Sequence, residues 1–243
     1  MTQILLTRSD AQNAAIGARI EAQDIHLLSR PLLRSEALPL DQAQKNRVLA
    51  LDQYDDVFFI SQNAVRFGVE LLEAYWPQWP NHLRWFAVGR ATAQALQNVG
   101  ISAIYPERAS SEDLLALKPL QRISNRASLI VRGQGGRETL KEGLQARGVK
   151  VDYLEAYQRV VVEYPSADFP DGDRVVALLY SGEAMTHLQQ TAGPAALRYE
   201  LIVPSERLQI MAKEMGFAKV ELANSQEDDA MLEVLNKLLG QNL

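Results

Sequence analysis

Short apolar runs and amphipathic stretches take turns along this chain, and the alternation predicts strand, helix, strand almost throughout. Ile4-Leu-Leu-Thr7 reads as a buried strand, and after it Ser9 or Asp10 suits the N-cap of a helix over Ala14 to Ala22. Ile25-His-Leu-Leu28 is the next strand, stopped by Arg30-Pro31 because proline cannot extend a ladder. Leu32 to Leu40, flanked by Pro31 and held by Pro39, reads as an extended connector, after which Asp41 caps a helix through Leu51. Val57-Phe-Phe-Ile60 then meets Ser61-Gln-Asn63 and a helix with Val65, Val69 and Leu72 on one face.

The pattern repeats with Trp85-Phe-Ala-Val88, Gly89 and a helix from Ala91 to Val99, with Gly100 as the stop before a strand at Ser102 to Tyr105. Ser110 to Asp113 opens another helix. Ser128-Leu-Ile-Val131 leads into Arg132-Gly-Gln-Gly-Gly-Arg137, a helix through Ala146 and a strand at Lys150 to Leu154. Tyr153 to Pro165, crowded with β-branched and aromatic residues, reads as a second extended connector with Tyr157 at the joint. Beyond it, Val175 to Leu179 leads to Tyr180-Ser-Gly-Glu183 and a helix, and Leu201-Ile-Val203 to Pro204-Ser-Glu206 and a helix ending near Gly216. Lys219 to Leu222 and a helix from about Gln226 finish the chain.

Strands alternating with helices predict an α/β fold of parallel sheets with helices on both faces. Two stretches echo each other, Phe58 to Ala64 against Leu178 to Ala184, and Val88-Gly89 echoes Val203-Pro204. Ile130-Val-Arg132, late in the first run, echoes Leu6-Thr-Arg8 at the start, so the duplication is permuted. A permuted order follows if residues 1–31 and 173–243 form one discontinuous domain and 41–153 an inserted one. The connectors 32–40 and 154–172 would then pair as a two-stranded β-ladder between two lobes, leaving a cleft.

Composition narrows the chemistry. With 243 residues, 47% hydrophobic, 23% charged and a net charge of −5, the chain is an ordinary globular one with no basic track for nucleic acid. The absence of cysteine removes disulfides, zinc-thiolate sites and thiol nucleophiles. The start carries no basic leader and no apolar run reaches the roughly 20 residues that span a bilayer, so a cytoplasmic protein is expected. His26, His82 and His187 are scattered and lack metal-ligand spacing, so no metal is expected.

Ser61, Ser181 and Ser205 lie in no nucleophile elbow and have no histidine-acid pair to serve them. They read as helix caps, and their hydroxyls and neighbouring amides can equally bind acidic groups. Arg132 to Arg137 is glycine-rich but lacks the dinucleotide fingerprint and the phosphate-loop lysine, which leaves a plain turn or an anion-binding loop.

In their order and spacing several segments together resemble the uroporphyrinogen-III synthase family. They are Ser61-Gln-Asn63-Ala64-Val65, Ala87-Val88-Gly89 through Thr92 to Leu96, Arg132-Gly133-x-Gly135-Gly136-Arg137, Tyr157-Gln-Arg159, Ser181-Gly182-Glu-Ala184 and Val203-Pro-Ser205. The resemblance covers nearly the whole chain. It implies two α/β lobes joined by a two-stranded ladder, no cofactor, and hydroxymethylbilane, a linear tetrapyrrole, as substrate. The family's reaction loses the terminal hydroxyl as water, passes through an azafulvenium-like cation and a spiro intermediate, and closes the macrocycle with the last pyrrole inverted. Tyr157 matches the tyrosine that assists hydroxyl loss. Substrate carboxylates are expected at Thr7 and Arg8, at Ser61, Gln62, Asn63 and Ala64, at Gly89 and Thr92, at Arg132, Gly133, Gly135, Gly136 and Arg137, and at Ser181, Gly182, Ala184 and Ser205. A monomer is expected, with hydroxymethylbilane synthase as candidate partner and no nucleic acid or membrane. The alternatives are a two-lobed small-molecule binding protein without turnover and a nucleotide-dependent enzyme, the latter disfavoured by the missing lysine.

Overall fold

The computed structural model describes residues 1–20 and 24–240. In chain order they form β1 (Thr2–Leu6), α1 (Asp10–Gly17), β2 (Ile25–Ser29), β3 (Leu33–Ala37), α2 (Gln42–Leu49) and β4 (Asp56–Phe59). Then come α3 (Gln62–Glu73), β5 (Arg84–Ala87), α4 (Arg90–Asn98), α5 (Ser111–Ala116), β6 (Ala127–Gly133), α6 (Thr139–Gln145) and β7 (Lys150–Val161). Last are β8 (Arg174–Leu178), α7 (Gly182–Ala192), β9 (Glu200–Val203), α8 (Glu206–Glu214), β10 (Lys219–Leu222) and α9 (Asp228–Leu238). None of the described helices is long and apolar enough to cross a membrane.

The chain divides into two compact units, Met1–Arg34 with Val160–Leu243, and Ser35–Arg159. The first unit holds a parallel sheet in the order β2-β1-β8-β9-β10. The second sheet has the order β3-β7-β6-β4-β5 and is parallel from β7 to β5. Beside β7, Leu38 N donates to Ala156 O at 3.1 Å and Val162 N to Leu32 O at 3.0 Å. One set of numbers falls as the other rises, so β3 runs antiparallel to β7.

Both units follow one plan. β2-β1-β8-β9-β10 corresponds to β7-β6-β4-β5 plus a single parallel bridge between Ile104 and Phe86. That bridge is all that forms of the strand expected at Ser102 to Tyr105. Ile104 and Tyr105 are exposed and only the small Ala103 packs inward, so this edge has little apolar surface to bury by lengthening.

Period-two alternation fills the cores. Val57 and Phe59 enter one cluster of the second unit and Phe58 the opposite one; in the first unit Leu5 faces one cluster while Ile4 and Leu6 face the other. Each central strand is therefore buried on both sides, as parallel sheets require.

Local chemistry accounts for the helix starts. Asp41 accepts from Gln44 N at 2.7 Å and Ser110 from Asp113 N at 2.9 Å. The first helix differs from its expectation in both end and cap. It runs from Asp10 to Gly17, and Ser9 occupies the cap position without a side-chain cap bond. The expected end at Ala22 lies outside the described residues. Tyr157 stands inside β7, because the β-branched and aromatic run after Leu154 keeps pairing with its neighbours.

Candidate active site

In sheets of this winding, ligands bind beyond the carboxyl ends of the strands, where the order of connections reverses. In the second unit that point lies between β6 and β4. β6 leads through α6 to β7 on one side, and β4 leads through α3 to β5 on the other. The turns there are Ser61–Ala64 and Gly133–Arg137.

At the end of β4, Ser61 caps α3, its Oγ accepting from Ala64 N at 3.0 Å. The same Oγ lies 3.0 Å from the Tyr157 phenol oxygen. Tyr157 reaches it through an irregularity in β7. Arg132 pairs with Glu155, but the next residue, Gly133, pairs with Tyr157. One extra residue, Ala156, is thereby inserted opposite β6, and a one-residue slip turns every later side chain to the other face. Tyr153, before the slip, packs against the cluster containing Phe58, whereas Tyr157 joins the cluster containing Phe59 and stacks on Phe67 with ring centroids 5.4 Å apart. Gly133 makes room, since a Cβ there would stand 2.7 Å from Tyr157 Cζ.

A recess of about 290 Å³ opens here, lined by Gly133 to Arg137 and by Ser111, Tyr153, Tyr157 and Arg159, among others. Arg159 is exposed and has no acidic partner among the described residues. Arg132 borders the recess, but its side chain is only 2% exposed and pairs internally with Glu138 at 3.0 Å. Glu138 also accepts from the Tyr153 phenol at 2.8 Å, which, with Arg132, holds its carboxyl below the usual range. Burial and that carboxylate together push the Tyr153 phenol up.

The other anticipated residues are dispersed. Gln62 Nε2 donates to Ala91 O at 3.5 Å and Asn63 Nδ2 to Ser35 Oγ at 2.9 Å. Ala64, Gly89 and Thr92 are buried, and Gly89 begins α4 without a side-chain cap. Arg137 forms an exposed ion pair with Glu112 at 2.6 Å. Gly133 to Arg137 form the glycine turn ahead of the helix: α6 begins at Thr139, and Gly135 and Gly136, both at positive φ, turn the chain before it.

In the first unit the corresponding reversal lies between β1 and β8. Thr7 Oγ1 is buried and donates to Leu178 O at 2.6 Å. Arg8 pairs with Asp228 at 2.7 Å and lies 4.7 Å above the Tyr180 ring. Ser181 caps α7 through Ala184 N at 3.2 Å, with Gly182 and buried Ala184 in its first turn, and Ser205 caps α8 through Leu208 N at 3.4 Å.

Residues 14–233 match the family model described as Uroporphyrinogen-III synthase HemD. The chain belongs to the uroporphyrinogen-III synthase family. A family member from Salmonella typhimurium is 36% identical over 243 residues, covering 96% of this chain and 99% of its own. One from Escherichia coli is 36% identical over 201 residues, covering 78% of this chain and 82% of its own. Among solved structures, the uroporphyrinogen-III synthetase of Helicobacter pylori superposes with a TM-score of 0.65 at 14% identity, over 98% of this chain and all 100% of that one. A mutant uroporphyrinogen III synthase from Thermus thermophilus gives 0.59 at 18% identity, over 99% of both chains. At these identities the structures show the shared fold.

Among the recess residues that draw no role from the sequence are the charged Arg159 and the phenol of Tyr153. The signal for Arg159 is its place in Tyr157-Gln-Arg159, since two residues along a strand share a face. Tyr153 carries no such signal, because its partner Glu138 is brought to it only by the fold.

Proposed function

We propose that this chain is a uroporphyrinogen-III synthase of tetrapyrrole biosynthesis, cyclising hydroxymethylbilane to uroporphyrinogen III with loss of water and inversion of the last pyrrole. Family membership over most of the chain supports the reaction, and the observation that carries its placement is the Ser61–Tyr157 hydroxyl pair. A serine hydroxyl has one proton and two lone pairs. Ala64 N occupies one lone pair of Ser61 Oγ, and in the arrangement in which Ser61 donates its own proton to Tyr157 the phenol proton is left for the substrate. The bond from the terminal methylene to its oxygen breaks, and the hydroxyl takes that proton and leaves as water. The proton released when the macrocycle closes restores the phenol.

The recess suits the reacting end of the substrate rather than all four rings, its volume lying at the small end of ligand pockets. Arg159 supplies a guanidinium for a substrate carboxylate. The turns at Ser61, Gly89, Gly133, Ser181 and Ser205 supply amides for others, a role that an acidic protein must give to local groups. We assign the protein to the cytoplasm as a cofactor-free monomer that receives its substrate from hydroxymethylbilane synthase, with 1–31 plus 173–243 and 41–153 as its domains.

The test is turnover of hydroxymethylbilane by purified protein in the presence of a chelator, with the products oxidised and separated as isomers. The type III isomer is expected to dominate. Because the substrate closes unaided to type I, a product containing only type I would overturn the assignment.

A further inference from the structure

We propose that Arg132 is a positioning residue and not a substrate ligand: its buried guanidinium pins the glycine loop, and the loop holds the Tyr157 phenol against Ser61. This rests on the cyclisation proposed above. An arginine beside a recess for a polyacidic molecule invites the role of carboxylate ligand, but its donors point inward. Nε donates to Gly133 O at 3.2 Å, Nη2 to Gly135 O, and Nη1 to Glu138 Oε1 at 3.0 Å. Its guanidinium carbon lies 4.4 Å from the centre of the Tyr153 ring. A charge this deeply buried needs such pairing to be held in place, and the planar fork of arginine fits several fixed acceptors at once in a way the ammonium of lysine does not.

The pinned loop touches Tyr157 twice. Gln134 N donates to Tyr157 O at 2.8 Å, and Gly133 stands directly against the phenol, close enough that a Cβ would come within 3.1 Å of Oη. Arg132 is also the last residue of β6 in regular register before the slip that turns Tyr157 toward Ser61. Gly136 completes the arrangement, with φ +103° and a position at which a Cβ would meet Arg132 Nη2 at 2.7 Å. Removing the guanidinium frees two carbonyls and a carboxylate and slackens the wall against which the phenol is aligned.

The test is a kinetic cycle of Arg132→Lys and Tyr157→Phe, with type III formation measured across substrate concentrations. Arg132→Lys is expected to lower kcat by about tenfold or more, as sub-ångström misplacement does, with KM within about twofold. In the Tyr157→Phe background the same substitution should lower kcat by less than about twofold, because the group it positions is already gone. An equal loss in both backgrounds would mark a merely structural role and overturn the proposal. So would a rise in KM with unchanged kcat, the mark of a substrate ligand, or a Tyr157→Phe protein with wild-type kcat. A wild-type protein that makes only type I would instead overturn the cyclisation itself. Should circular dichroism show Arg132→Lys unfolded, Gly136→Ala strikes the same contact from the loop side and must give the same cycle.

Discussion

The reversal points of the two units are built from the same parts and left in different states. Each has an arginine at or just past the end of a central strand, an aromatic ring beneath its guanidinium and an acid beside it: Arg132 with Tyr153 and Glu138, Arg8 with Tyr180 and Asp228. Each has a serine capping the helix after the neighbouring strand, Ser61 and Ser181. In the first unit the turn closes on itself. Asn13 Nδ2 donates to Leu6 O, Arg8 O and Ser29 Oγ, its Oδ1 accepts from Arg8 N, and Thr7 is tied to Leu178. In the second unit glycines take the place of that cross-link, and a slipped strand delivers a phenol to the serine. One topology thus provides two equivalent turns, and their side chains set them apart.

The sharpest way to break this contrast is Tyr157→Phe, which deletes one oxygen from the second unit. Type III turnover should fall at least about tenfold, roughly 1.4 kcal/mol of transition-state stabilisation, since a positioned acid typically contributes ~10² to 10⁴. A folded variant with wild-type turnover would reduce Tyr157 to packing. A paired comparison sharpens the contrast further. Ser61→Ala and Ser181→Ala each remove a cap and should each lower stability by about 1 kcal/mol in denaturant titrations. Only Ser61→Ala should lower kcat, by roughly threefold to tenfold, because only Ser61 touches the phenol; Ser181→Ala should register in KM alone. Identical kinetics for the two would erase the distinction between the units. The smallest effect is expected from Arg159→Ala, a rise in KM of about threefold at low salt that shrinks at high salt as screening weakens the lost ion pair. A KM unchanged at both ionic strengths would remove Arg159 from the substrate site.

Much of this layout is legible in the residues themselves because it depends on local chemistry. Ser61, Ser181 and Ser205 announce caps, and apolar runs such as Ile4 to Leu6 and Val57 to Ile60 announce buried strands, since each signal acts within a few residues. The permuted echo between Arg132 and Arg8 shows in sequence because equivalent turns need equivalent residues. What escapes depends on register. Nothing near Ala156 says that β7 slips there, as the slip is fixed by how Gly133 meets Tyr157 across the sheet. The inward course of Arg132 is hidden for the same reason, its acceptors being loop carbonyls whose direction the fold sets.

Ala156 divides β7 into two parities. Before it the odd-numbered side chains Val151 and Tyr153 join one core, and after it Tyr157 joins the opposite one. A single added codon in one copy of a duplicated unit is therefore enough to move an aromatic hydroxyl from one face of a finished sheet to the other, with no new element and almost no change in composition. In this architecture the face on which a side chain ends up is a matter of counting residues.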